Sequence, residues 1–544
     1  MFNRPLDRKI LNVFTSLMIF FFAAAAIGQE DEEDKEYQEI IKKNVWVSNE
    51  SGKMTSQKET AFAWLDNHQH VGADIAEYIW HHPELGLGEY KSSAILQDFL
   101  SKAGFDVHAD VAGQKTGFVA VWGKDKPVIG FNAEFDALPG LSQEKGLYEK
   151  QPILEDAPGH GCGHNLFGTY SCMAAIAVKE AMKKHKIQGA VKVYGTPSEE
   201  TLVGKAFFVK QGIYNDADIV ISWHPGTTNG VIYQSSLAMD NFKVRFKGIA
   251  SHAASAPWEG RSALDAVELM SVGMNYMREH IKQESRIMSC ITDGGLAPNV
   301  VPPTAEAWYF VRNPRYKVVK ELMAWTEDIA HAASKMSQTQ IEFLRITGVW
   351  EYLPNNVLAR VGDANAKLVG APKWTDEDQK AGEPFSKSKG AKEGPYYADE
   401  IKTPDLDVPF EWAKGGGSID EANVSWIVPM VRFMSATSAK KIPGHSWQQV
   451  ASNSMPQAFK GSLVCAKYMA ATALELFQNK NLISAAKAEH VRNISKYGPF
   501  DDPVKDLSVP SFELLHGKKE SQVPKQWEKR PYPYPETLIQ FKSE

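Results

Sequence analysis

The stretch AVKVYGTPSEE, Ala190 to Glu200, decides how this chain folds. Its first half, Ala190 to Gly195, is a short run of β-branched and aromatic residues that stops at a Thr-Pro-Ser turn, which reads as a strand. Glu199 and Glu200 then leave the strand end side by side. Three further segments have related layouts. Pro127 to Ala133 runs into Glu134-Phe135-Asp136, Ile219 to Trp223 runs into His224-Pro225, and Gly161-Cys162-Gly163-His164-Asn165 opens a helix from about Asn165 to His185. A strand over Gly117 to Trp122 and a helical stretch near Val203 to Gln211 complete the alternation. It predicts an α/β domain, a mostly parallel sheet with helices on both faces. In such a sheet these strand ends meet at one edge, where ligand sites form.

Working outward, Glu59 to His81 and Ser92 to Ala103 have helical character. At about Asn241 the pattern changes: Phe242-Lys243-Val244-Arg245-Phe246 alternates apolar and charged residues, as a strand with one solvated face does. A helix over Ala263 to Ile281, strands near Ile287 to Thr292 and Glu306 to Arg312, a helix over Lys317 to Met336 and a strand over Gln340 to Ile346 follow. That order predicts an inserted, smaller α+β ferredoxin-like dimerisation or lid domain over residues 241–348. It divides the catalytic domain into 58–240 and 349–480. The second part holds a Lys/Gly/Glu-rich loop near Asp376 to Gly394 and a closing helix over about Gln457 to Gln478. An extension over 481–544, rich in Pro, Lys and Glu beyond Tyr497, is expected to wrap the surface.

With 544 residues, 43% of them hydrophobic, the chain can build more than one core. A net charge of -6 leaves no basic excess for a phosphate backbone, so nucleic acid is not an expected partner. Arg4, Arg8 and Lys9 precede an apolar run from Ile10 to Ala26, and Ala26-Ile27-Gly28 supplies small residues for cleavage. Residues 1–28 read as a signal peptide and 29–57 as an acidic linker; a retained N-terminal anchor is the alternative. The expected location is exported, periplasmic or secreted, with no membrane span after cleavage. Four cysteines in so long a chain make no disulfide framework.

One of those cysteines has a chemical use. Cys162 as thiolate, His164, Glu200 and His224 are ligand types that hold zinc or manganese, and the glycines flanking Cys162 let backbone approach an ion. His160 could substitute for one of them. Of two adjacent carboxylates, one can ligate while the other takes a proton from activated water, which makes Glu199 the candidate base.

The series Asp136-Ala137-Leu138-Pro139, Gly161-Cys162-Gly163-His164, Pro197-Ser198-Glu199-Glu200, Trp223-His224-Pro225, Gly248 through Ser251-His252-Ala253-Ala254, Asn299-Val300-Val301-Pro302 and Gly444-His445 resembles a known family. These are the dinuclear-metal amidohydrolases that include aminoacylases, carboxypeptidase-G-type enzymes and indoleacetyl-amino-acid hydrolases. The likeness runs in order through residues 58 to 480. Asn165 after His164, and Gly417-Ser418-Ile419-Asp420 leading to Asn423-Val424-Ser425-Trp426, look most like the members that act on p-aminobenzoyl-glutamate. The resemblance implies two divalent metal ions per subunit, zinc or manganese, on Cys162, His164, Glu200, His224 and His445, with Cys162 bridging. It implies Glu199 as general base, Asp136 as the acidic residue behind the site, and His252 lent by a neighbouring subunit to stabilise the oxyanion. Asn299 and Arg312 match residues that clasp a substrate carboxylate, and the Gly415 to Ser418 loop could line the same pocket.

The activity so implied is hydrolysis of the amide bond of an N-acyl or N-aroyl amino acid or a short peptide. The enzyme would be a homodimer, with a heteromeric partner as an alternative. The signal peptide and the extra length near Asp376 to Gly394 and after Asn479 depart from the pattern, so the substrate of those members does not transfer automatically. His81-His82-Pro83-Glu84-Leu85 is similar to a family segment too, and a helix-ending His-Pro has a structural explanation. The competing function is a non-catalytic metal- and ligand-binding protein with the same fold. A serine hydrolase would need a Gly-x-Ser-x-Gly elbow, which no strand-turn-helix segment here supplies.

Overall fold

The computed structural model describes residues 35–412 and 416–542, so the signal peptide falls outside the described residues. The larger sheet takes β1 (Asp106–Val111), β2 (Gln114–Gly123), β3 (Val128–Glu134), β4 (Ala190–Thr196), β5 (Ile219–Gly226), β6 (Gly230–Ile232) and β11 (Met430–Ala436). Its order is β1-β2-β4-β3-β5-β11-β6. The middle four strands, β4, β3, β5 and β11, run parallel. β3 is buried at every position, as a strand covered on both faces must be. The helix His164–His185 packs across it and is itself buried over most of its length.

Three strands depart from the expected parallel order. β2, expected over Gly117 to Trp122, runs antiparallel to β4 and pairs with β1, while β6 closes the far edge antiparallel to β11. β1 (DVHADV) is nearly all exposed, so no burial pattern marked it.

The smaller sheet takes β7 (Ala238–Lys247), β8 (Arg286–Asp293), β9 (Thr304–Asn313) and β10 (Gln340–Val349) in the antiparallel order β10-β7-β9-β8. Helices Ala263–Met277 and Tyr316–Ser337 pack on it, giving the expected strand-helix-strand-strand-helix-strand unit. Its core is aromatic, with Phe242 stacked 5.5 Å from Tyr309 and 4.8 Å from Phe343. Lys243, expected on a solvated face, is buried instead: it reaches Glu306 at 3.3 Å and lies under the Trp308 ring. Trp308 in turn packs near Phe207 and Leu507, so this face meets the larger domain and the C-terminal extension.

Other local readings change. Asp376 to Ser388 is a helix, not a loop, because Thr375 and Asp378 form a reciprocal capping box and Phe385 is buried beneath it. Residues 35–43 and Val45–Glu50 of the expected linker are helical, and they bury Tyr37, Ile41 and Val47. Beyond the helix Pro456–Gln478, a further helix, Lys480–Tyr497, buries Leu482 and Ala486. Near the end of the tail, Leu538 is buried and Phe541 packs 5.2 Å from Phe99. No helix among the described residues is long and apolar enough to cross a membrane.

Candidate metal centre

Four parallel strands deliver the site from one edge. β3 ends in Glu134 and leads to Asp136; β4 leads to Ser198, Glu199 and Glu200; β5 carries His224; and the loop after β11 carries His445. β5 continues to Gly226, so His224 lies within the strand and not beyond it. Gly163 has φ +89°, and a Cβ there would lie 3.0 Å from Pro225, so glycine is what lets Cys162 and His164 approach β5. The His445 amide donates to the Gly161 carbonyl at 2.9 Å, which ties the last loop to the Cys162 turn.

Two donor triads result, and they share one atom. Cys162, His164 and His224 can converge on one ion, and Cys162, Glu200 and His445 on another; within each triad the donor atoms lie within 4.8 Å of one another. Cys162 Sγ stands 3.3 Å from His224 Nε2, and His445 Nε2 stands 3.4 Å from Glu200. His164 Nε2 and Glu200 Oε1 are buried without a hydrogen-bond partner. Buried polar atoms are almost always satisfied, and divalent cations would satisfy these. Sulfur, imidazole and carboxylate donors also suit such ions, so the residues fit a two-ion centre.

The supporting contacts aim these donors. Asp136 accepts from His164 Nδ1 at 2.8 Å and from the Glu200 amide at 2.9 Å, which leaves His164 Nε2 facing the centre. His224 Nδ1 donates to the Pro225 carbonyl at 2.7 Å, which turns its Nε2 toward Cys162 Sγ. Burial raises the Glu200 carboxyl to about 8 and pushes Cys162 up, while burial and His164 hold His224 down at about 3. Burial, reinforced by Glu134, Asp420 and Glu200, lifts Glu199 well above the ordinary carboxylate range. A carboxylate so placed is a ready proton acceptor.

Several parts of the site go beyond the sequence reading. Glu134 Oε2 lies 3.3 Å from His164 Nε2, and Glu134, His164 and Glu199 form a third donor group. Its other oxygen pairs at 2.6 Å with the fully buried Lys205, which also pairs with Asp420 at 2.7 Å. Glu421, next to Asp420, is held by Arg432, Asn132 and Ser222. Glu134 stands in the strand-end motif, which is a signal that could have found it. Asp420 ends the Gly417-Ser418-Ile419-Asp420 motif, whereas Lys205 carries no such signal.

The remaining predicted residues divide. His160 belongs to none of the donor groups; its Nε2 meets the Ile79 carbonyl at 3.1 Å. His252 and Asn299 are neighbours on the exposed side of the inserted domain, joined by the Ala253 amide and the Asn299 carbonyl at 3.0 Å. His252 Nδ1 accepts two backbone amides at 3.2 Å, which leaves Nε2–H to donate outward. No hydrogen bond or ion pair among the described residues links either to the centre. Arg312 sits apart from Asn299 on β9, half-buried beside Phe310, with Nε unpartnered. Residues 413–415 are outside the description, and Gly417 accepts from the Leu237 amide at 3.0 Å.

Residues 238–336 match the M20-type peptidase dimerisation domain. The chain is 35% identical over 459 residues to a p-aminobenzoyl-glutamate hydrolase subunit of Escherichia coli K12, covering 80% of this chain and 95% of that protein. The chain belongs to the M20 family of metal-dependent amidohydrolases. This amidohydrolase is also 28% identical over 437 residues to the Xaa-Arg dipeptidase of Mus musculus, covering 77% of this chain and 89% of that one. A crystal structure of an aminobenzoyl-glutamate utilization protein from Klebsiella pneumoniae has the same fold, with a TM-score of 0.51 at 16% identity, covering 77% of this chain and 98% of that one. The amidohydrolase works with divalent metal ions, and its inserted sheet is of the dimerisation type.

Proposed function

We propose that the enzyme hydrolyses N-acyl or N-aroyl amino acids, or short peptides, at an amide adjoining a free carboxylate. The observation that carries this reading is the pair of donor triads meeting at Cys162, with Glu199 beside them and in neither triad. The named relatives, a p-aminobenzoyl-glutamate hydrolase and an Xaa-Arg dipeptidase, support that substrate class. Cys162, His164 and His224 would hold one ion, and Cys162, Glu200 and His445 the other, zinc or manganese. When bound, the ions supply Lewis acidity, which polarises the amide carbonyl and acidifies water.

Glu199 takes the proton from the attacking water and passes it to the leaving nitrogen. Asp136 keeps His164 and Glu200 in place meanwhile. His252 of a second copy donates Nε2–H to the oxygen that gains charge, and Asn299, which shares the His252 face of that copy, binds the substrate carboxylate together with Arg312 of the first. Exposed Trp258, Tyr276 and Leu296 on the inserted domain support a homodimer built there. The apolar segment at residues 10–26 supports export, periplasmic or secreted. Glu199→Gln tests the assignment: kcat should fall by about 10²–10⁴-fold while metal content is unchanged. A Glu199→Gln enzyme with a near wild-type rate would refute it.

A further inference from the structure

The segment His81 to Leu85 reads in sequence as a helix end, yet with the residues that follow to Tyr90 it forms a wall against the catalytic loop. Leu85 bridges to Ala137, one residue past Asp136. Gly86 lies so close to Ser198 that a Cβ on it would stand 2.9 Å from Ser198 Cα. Glu89 is fully buried; one oxygen accepts from the Thr116 hydroxyl at 2.8 Å and the other from the Ser198 amide at 2.7 Å. Ser198 sits at φ +61°, a left-handed conformation that a non-glycine residue holds only when its surroundings enforce it.

The amides of Ser198 and Glu200 are thus each pinned by a buried carboxylate, Glu89 for the first and Asp136 for the second. Glu199 is the residue between them. We propose that Glu89 is a positioning residue that, together with Asp136, fixes the backbone on both sides of Glu199 and so sets the aim of the base and of Glu200. The proposal rests on Glu199 as base and Glu200 as ligand. What Glu89 supplies is an acceptor at a fixed reach, so shape should matter more than charge. Gln keeps that reach without the charge; Asp keeps the charge but withdraws the acceptor by one methylene.

The test compares metal-loaded full-length Glu89→Asp and Glu89→Gln with wild type. Turnover of N-acyl amino acids and the visible absorption of the cobalt(II)-loaded protein are both measured. A misplacement of about 1 Å can cost 10²-fold, so Glu89→Asp should lose about 10²-fold in kcat with KM within about threefold, and its cobalt spectrum should shift. Glu89→Gln should restore both kcat and spectrum. Equal loss in the two variants, or no loss in Glu89→Asp, would overturn the proposal. Should Glu89→Asp fail to fold, Gly86→Ala presses directly on Ser198 Cα and its side chain and should move the cobalt spectrum and kcat likewise; an unchanged Gly86→Ala protein would count equally against it. The spectrum reports the placement of Glu200 without any substrate. A wild type that turns over no acyl amino acid would therefore count against the substrate class and leave this comparison decisive.

Discussion

Replacing Lys205 by Met keeps the side-chain volume and removes one buried cation from among acids. Its Nζ is 2.6 Å from Glu134 and 2.7 Å from Asp420, with no exposed surface. At those distances and an effective dielectric of about 20, each attraction is about 6 kcal/mol gross. Most of it is offset by desolvation of the three groups, so the intact triad adds little net stability. Removing only the cation is different, because both carboxylates stay buried without their main countercharge, Glu134 keeping only His164 and Asp420 only the residue-205 amide. That costs about 3–5 kcal/mol.

The loss should depend on pH, and its sign follows from proton uptake. Burial already raises Glu134 to about 7 and raises Asp420, and without Lys205 both rise further. An acid whose folded pKa lies above its unfolded value stabilises the fold below that value and loses the effect as pH rises. The Lys205→Met deficit should therefore be largest near pH 8 and shrink toward pH 5. Urea unfolding of Lys205→Met, Asp420→Asn and the double variant at both pH values measures it, with a coupling of about 2 kcal/mol or more expected at pH 8. A deficit below about 1 kcal/mol at pH 8, or one that does not change with pH, would refute the reasoning.

The shared thiol makes a second prediction. Cys162→Ala should lose both ions, whereas His445→Ala, which belongs to one triad, should keep about one per subunit by elemental analysis. One ion retained by Cys162→Ala would show that the triads do not share Cys162. A third concerns His82, which is buried against Tyr78 and Trp527 and held down from 6.5 to about 4 chiefly by burial. Its contribution is complete above pH 6.5 and is lost as pH falls toward 4, a drop of up to about 3 kcal/mol. His82→Phe should flatten that acid limb in pH-dependent thermal melts; an unchanged slope would assign it to other groups.

Local sequence determined the elements that carry the donors. A strand that stops at Pro197 must release Glu199 and Glu200 at its end, and glycines around Cys162 must mark a close turn, whatever else the chain does. The alternation that announced a parallel core, and the later change of period near Asn241, are also local signals. The helix at Asp376 is equally local: the Thr375 and Asp378 capping pair outweighs the Lys/Gly composition that reads as a loop.

Tertiary structure decided what supports the donors. Lys205 and Asp420 are 215 residues apart, and Glu89 and Ser198 are 109 apart. A Lys, an Asp or a Glu in a polar stretch looks like solvated surface until the fold removes the water. It also decided that His160 serves the Ile79 carbonyl, and that His252 and Asn299 share one exposed face while Arg312 lies elsewhere. Backbone periodicity is written residue by residue, but the partner of a buried charge is chosen by whichever distant segment packs against it.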